Sequence, residues 1–263
     1  MSGKIEKLSI NIPAKDEEGC LQETLENLLS TLRAEEVPFE ILVIDDYSTD
    51  ETWSILSKMQ DEHPEIQGVQ NSGDPGFGNA IQFGFNRMQG DAAVVYMADQ
   101  SDDPKDVVRY WHKLNDGYDC VFGSRFVEGG KVKDYPIFKF LLNRFANKFI
   151  QIMFGIRLND TTNAFKAYRK EVIDGCRPFL SPHFNLTVEL PLKSIIRGYT
   201  WTRIPISWQN RRSGTAKFKI KEMGSRYIFI ILYVWLEKFF SRGDYHRSKR
   251  FNKNESKQDL EIK

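Results

Sequence analysis

The chain has little cysteine. Cys20, Cys120 and Cys176 are the only three in 263 residues; they lie far apart, and none forms a CxxC pair or stands close to a histidine. A disulfide framework and a zinc site are therefore not expected, and a reducing compartment is the simplest setting. An excess of one charge is also lacking, since 37 basic side chains stand against 36 acidic ones, a formal net charge of +1. That balance argues against a globally basic nucleic-acid binder, so no nucleic-acid partner is expected. The opening segment MSGKIEKLSINIPA has no apolar stretch of the kind a signal peptide needs and runs straight into a strand-like segment, so no export is expected. Long hydrophobic runs are missing as well. The longest, residues 227–236, extends about 15 Å as a helix, half of the roughly 30 Å of a bilayer core. No GxxxxGK[ST] phosphate loop occurs, and Gly76 and Gly78 do not complete GxGxxG, which removes NTPase and dehydrogenase readings.

What is present is enough apolar material, 41% of residues, to bury a core, in a length that suits one α/β unit with a C-terminal addition. Residues 8–13 read as a short strand and 21–32 carry leucines at helical spacing. A second strand, 41–44, ends in Asp45-Asp46, after which Ser48 and Glu51 have capping-box spacing for a helix to about Met59. Residues 66–69, a helix over 80–88 and the strand 92–97 continue the alternation. Asp103 as N-cap with Pro104 behind it opens a helix to Leu114, and 120–122 form a fifth strand. This order predicts a largely parallel sheet between helical layers, with ligands at the carboxyl ends of its strands.

The second half differs. Residues 135–156 form one amphipathic helix, with Lys139, Asn143, Asn147 and Gln151 at i, i+4 spacing. Phe138, Leu141, Leu142, Phe145, Phe149, Ile152 and Met153 fill its other face. A helix over 187–196, a strand over 203–208, a basic loop over 209–219 and the apolar run follow. From Arg242 the chain is polar and reads as a flexible basic tail.

Acidic residues gather where strands end: Asp16-Glu17, Asp45-Asp46, and Asp99 with Asp102-Asp103. Neighbouring carboxylates repel and raise one another's pKa, a conflict that a divalent cation removes. Mg²⁺ or Mn²⁺ accepts one or two carboxylates together with the phosphates of a nucleotide, and Asp99 with Asp102 suits such a site. Asp103 reads as a helix cap.

The blocks IPAKDEEG, ILVIDDYSTDET, GFGNA, MADQSDDP, VFGSRFVEGG, LNDTTNAFKAYR and IPISWQNRRSGTAK occur in this order. Together they resemble an inverting family 2 glycosyltransferase of the GT-A fold, in the branch that acts on dolichyl or polyprenyl phosphates. The likeness spans residues 8 to 220. It implies a catalytic domain over 1–220, an interface helix over 221–241 and a tail over 242–263. It assigns the nucleotide to Pro13, Glu17 and Asp46, the metal to Asp99, and the sugar and acceptor phosphate to Arg125. Lys139 and Asn143 fall at positions that touch the lipid phosphate, and Arg211 and Lys217 at those that clamp the donor diphosphate. Met97 replaces an acid common in the family, which shifts weight to Asp102 as second acidic participant, and Ala216 replaces a serine. Glu189 recurs in the family, but no role follows for it beyond a structural ion pair.

The basic loop reads independently as a phosphate holder, because Arg supplies a planar fork and Lys a point charge. A sugar hydroxyl must lose a proton to a base before it attacks, whereas a phosphate monoester is already an anion. The chain lacks a TED-type base, and of the QxxRW signature it keeps Gln209 and Arg212 but has Ser213 in place of Trp, so a phosphate acceptor is favoured. The remaining readings are transfer to a hydroxyl of another glycan or lipid, and a non-catalytic sugar-nucleotide-binding protein. The GDP- or UDP-sugar donor is left open. A polyprenyl phosphate implies a peripheral protein on the cytoplasmic face of a membrane, alone, as a homo-oligomer or with a partner subunit. Both the amphipathic helix and the apolar run with Phe239, Phe240, Arg242, Arg247, Lys249, Arg250 and Lys253 either lie in the membrane interface or pack within the protein.

Overall fold

Leu8–Ala14 (β1) is buried at every position, as befits a central strand covered on both faces. It pairs in parallel with Phe39–Asp45 (β2) on one side and Ala92–Val95 (β4) on the other. Ile10 and Ile12 meet the leucine stripe of Leu21–Ala34 (α1), whose Leu21, Leu25, Leu28, Leu29 and Leu32 are buried. On the opposite face Asn11 Nδ2 donates to Ile81 O at 2.9 Å, where Phe77–Phe85 (α3) comes so close that a Cβ on Gly84 would collide with the Asn11 side chain. These contacts belong to a computed structural model that describes residues 3–210 and 220–248, with only the backbone over 220–223.

Thr52–Glu62 (α2) leads to Ile66–Gln70 (β3), which pairs in parallel with β2. Pro104–Asn115 (α4) follows β4, and Cys120–Ser124 (β5) follows α4. Lys166–Arg169 (β7) then runs antiparallel between β4 and β5. Trp201–Pro205 (β8) adds in parallel to the edge, for the order β3-β2-β1-β4-β7-β5-β8. One face carries α1, α2 and α4; the other carries α3, Lys170–Cys176 (α6) and Leu186–Ile196 (α7). Lys131–Lys133 (β6) and Ser207–Gln209 (β9) form a separate two-stranded parallel ribbon. Ile137–Phe154 (α5) and Ile220–Phe240 (α8) pack with α7 through Ile150, Phe154, Val188, Leu192, Ile230, Ile231 and Val234. Among the described residues no helix is long and apolar enough to cross a membrane.

Several local expectations need correction. Helix α2 starts at Thr52 after Glu51 with no side-chain cap, because Ser48 Oγ instead accepts from Asp16 N at 2.9 Å. The single strand read over 203–208 divides, since Ile206 turns the chain from β8 into β9 and so from one sheet to another. The antiparallel β7 and the ribbon strand β6 carried no alternation of their own. Asp103 does cap α4, accepting from Lys105 N at 3.0 Å.

On α5 the apolar stripe faces outward: Ile137, Phe138, Leu141, Phe145 and Ile152 are each at least 60% exposed, while Asn147 on the polar side is buried. Helix α8 is divided, with Ile230 and Val234 buried and Ile228, Phe229, Leu232, Leu236, Phe239 and Phe240 exposed. Residues 242–248, read as the start of a flexible tail, are held down. Arg247 N donates to Arg197 O at 2.9 Å and the Arg247 guanidinium pairs with buried Asp119. Arg211, Arg212, Ser213, Ala216 and Lys217 of the basic loop, and Lys249, Arg250 and Lys253 of the tail, lie outside the described residues.

Candidate active site

The loops after β1, β2 and β3 are tied to one another at the carboxyl edge of the sheet. Asp16 Oδ1 accepts from Thr49 N at 2.8 Å, and Glu17 N donates to Thr52 Oγ1 at 2.8 Å. Buried Asp46 receives Asn71 Nδ2 and Gly76 N, each at 2.9 Å. Below them, Gly78 N and Asn79 N in the first turn of α3 donate to Pro182 O at 3.0 and 3.1 Å. A Cβ on Gly78 would collide with Ser181 O, so only glycine allows that loop to sit on the helix end. Pro13 is buried in β1, while Glu17 is half-buried. Of the residues assigned to the nucleotide, Asp46 thus also organises the β3–α3 connection.

After β4 the segment 97–103 carries Asp99 and Asp102, both buried. Asp99 Oδ1 accepts from Ser101 N at 3.2 Å. Tyr96 donates its hydroxyl to Asp102 O at 2.6 Å, and the Asp102 backbone bridges to Trp208 of β9. Asp102 Oδ2 is buried with no hydrogen-bond partner among the described residues. Burial, reinforced by Asp99 and opposed by Arg125, raises the Asp102 pKa well above the usual carboxylate range. A buried oxygen left without a donor beside a second carboxylate fits a divalent cation. No group of three or more His, Cys, Asp or Glu side chains able to hold a metal occurs among the described residues. Asp99 and Asp102 would be the protein's carboxylates for such an ion.

Arg125, at the end of β5, is buried with Asp160, its side chain 7% exposed and that of Asp160 fully covered. Nε and Nη2 donate to the two Asp160 oxygens at 2.8 and 2.7 Å, and the Arg125 backbone N–H adds a third bond at 3.0 Å. Burial works against the charge of Arg125, but Asp160 more than offsets it and raises the pKa above the ordinary arginine value. The rings of Phe126, Tyr135 and Trp208 surround the guanidinium at 5.3, 5.5 and 5.6 Å. Such an arrangement fixes a cation beside the acidic pair.

The structure thus brings Asp99, Asp102 and Arg125 together. Asn143 Nδ2 donates to Thr162 Oγ1 at 2.8 Å, and Lys139 is exposed on α5. Glu189 is wholly buried; it pairs with Lys193 at 2.5 Å and receives Leu180 N on both oxygens, which is a structural role. Asp160 was missed by sequence reasoning although it lies within LNDTTNAFKAYR. It is 35 residues from Arg125, and only a fork of carboxylate and guanidinium across that distance reveals its task.

Residues 9–176 match the profile described as Glycosyl transferase family 2. The chain is 30% identical over 223 residues to a dolichol-phosphate mannosyltransferase of Pyrococcus furiosus, covering 82% of this chain and 60% of that protein. It is 28% identical over 202 residues to a polyprenol monophosphomannose synthase of Mycolicibacterium smegmatis, covering 71% and 76%. Against an undecaprenyl-phosphate 4-deoxy-4-formamido-L-arabinose transferase of an Enterobacter species the identity is 28% over 220 residues, covering 83% and 64%. The chain therefore spans less than two thirds of the length of the first and third of these relatives. Among solved structures, glucosyl-3-phosphoglycerate synthase of Mycobacterium tuberculosis with Mn²⁺, uridine diphosphate and phosphoglyceric acid superposes with a TM-score of 0.69 at 17% identity, covering 87% of this chain and 78% of that one. The sheet order, the acidic segment after β4 and the matched profile have one common explanation: the fold is GT-A, and the chain belongs to glycosyl transferase family 2.

Proposed function

We propose that this protein transfers a sugar, with inversion, from a nucleotide-sugar donor to a polyprenyl phosphate at a membrane surface. One observation carries the reading: Arg125, suited to a phosphate, is held by a loop that packs on the buried polar side of α5, while the other side of the same helix exposes a run of Phe, Leu and Ile. A soluble acceptor needs no such apolar face, whereas a lipid-linked anion needs both. The curated relatives named for polyprenyl or dolichyl phosphates point the same way.

The donor lies over the carboxyl ends of β1 and β2, with its base and ribose near Pro13, Glu17 and Asp46. Asp99 and Asp102 would hold Mg²⁺ or Mn²⁺, which would supply positive charge against the donor diphosphate. Arg125 orients the acceptor phosphate, and Lys139 and Asn143 stand on the helix along which the lipid approaches. A phosphate oxygen forms the new bond to the anomeric carbon as the bond from that carbon to the diphosphate breaks on the opposite face. The nucleophile is already an anion, so positioning and charge stabilisation suffice, without a carboxylate base. Arg211 and Lys217 supply positive charge to the departing diphosphate.

A screen of GDP- and UDP-sugars against a short polyprenyl phosphate in detergent, with Mg²⁺ or Mn²⁺ and mass-spectrometric detection, tests this directly. A glycosyl phospholipid from one donor class is the expected product. Transfer to a glycan or lipid hydroxyl instead, or nucleotide binding with no turnover on any donor, would refute it.

A further inference from the structure

The loop that fixes Arg125 is itself gripped from α5 by a side chain to which no role has been given. Asn147 is fully buried. Its Oδ1 accepts from Thr161 N at 2.6 Å, and its Nδ2 donates to Thr162 Oγ1 at 3.1 Å and to Asn143 O at 2.9 Å. The residue before Thr161 is Asp160, whose two oxygens take three bonds from Arg125. On the far side of the loop, Lys166 Nζ donates to Thr161 O at 2.9 Å and Thr187 O at 3.3 Å, and also contacts Asn163 O. Residues 160–163 are thus clamped between α5 and β7, with the carboxylate for Arg125 at one end.

We propose that Asn147 is a positioning residue for Arg125: through Thr161 and Asp160 it makes the seating of α5 decide where the arginine stands. The inference rests on the reading that Arg125 receives the acceptor phosphate. An apolar residue would fill the same space, but it would leave buried Thr161 N without its acceptor and Thr162 Oγ1 with Asn143 Nδ2 as its remaining donor, and the loop would be free to shift. Asn147 also lies on the same helix as the exposed Phe145, Phe149 and Ile152. Whatever surface docks that face therefore bears, through Asn147 together with Asn143 and Arg144, on the loop that carries Asp160.

The variant Asn147→Ala tests this, with Asn147→Ser, which is too short to reach Thr161 N, as a milder change should the first fail to fold. Loss of these bonds is expected to raise the KM for polyprenyl phosphate roughly tenfold while the donor KM stays within about twofold. A second readout does not need turnover. Hydrogen exchange at Arg125 Nε–H, followed by NMR, should quicken roughly tenfold in either variant as the fork to Asp160 loosens. In an Arg125→Lys background, where the fork cannot form, Asn147→Ala should raise the acceptor KM no further. An equal rise in both KM values, multiplying effects in the double variant, or Arg125 exchange as slow as in the parent would each overturn the proposal. Should the parent protein transfer to no polyprenyl phosphate, the reading of the site falls, and the exchange measurement still decides whether Asn147 positions Arg125.

Discussion

Asp99 and Asp102 share a buried corner after β4. If they serve a divalent ion, Asp99→Ala should lower transfer by about a hundredfold or more with the thermal midpoint near that of the parent, and full activity in that variant would remove the assignment. Lys166 offers a pH test at the same scale. Burial, opposed mainly by Asp160, lowers its pKa to about 7 from the model-compound 10.5. Between those values the unfolded chain holds a proton that the folded one has released, so stability rises with pH across that window and the contribution is flat below it. Lys166→Met should flatten that rise, as read from urea midpoints between pH 7 and 10. An unchanged slope would show that the lysine is charged in the folded state.

At the scale of elements, α5 is the least ordinary part of the molecule. A stripe of Phe, Leu and Ile at helical spacing is legible in the sequence, but which side of the helix is covered is not. The decision falls to Asn143 and Asn147, whose bonds to the loop 159–163 are worth making only when that loop is already folded beneath them. Phe145 and Ile152 are 73% and 72% exposed, so Phe145→Glu with Ile152→Glu removes little core. Together they should weaken binding to anionic vesicles by about tenfold or more, measured by flotation. Vesicle binding at the parent's level, with a loss of dimer mass, would instead assign the face to a second copy of the chain. The same limit explains β7: LNDTTNAFKAYR stands out as a block, yet nothing in KAYR announces a strand inserted antiparallel between β4 and β5, because its pairing partners are supplied by distant segments.

For the whole molecule, the proposed donor site would span loops from the first, second and fourth strands, so a bound nucleotide would link parts of the chain that unfold apart. A ligand that binds only the folded protein stabilises it by about 2.7 kcal/mol at a hundred times its Kd. The thermal midpoint should therefore rise with the cognate nucleoside diphosphate and Mn²⁺, and less with either alone. Comparing GDP with UDP identifies the donor class, and no shift with either would argue against a nucleotide site.

The order of strands and helices through β5, the acids at strand ends and the apolar content of the last helices were all set by local pattern: alternation, caps and turn residues act over a few neighbours and are visible in one dimension, whereas Arg125 stood out only through the resemblance of its block to the family. Tertiary structure alone decided that Asp160 holds Arg125, that Glu189 is tied to Lys193 and the Leu180 amide, and that the stripe of α5 faces outward while α8 is shared between core and surface. Those outcomes depend on which buried polar groups meet in the folded chain, whether close in sequence like Glu189 and Lys193 or 35 residues apart like Arg125 and Asp160. Hydrogen bonding in a low-dielectric interior selects among them only once the chain has brought the groups together.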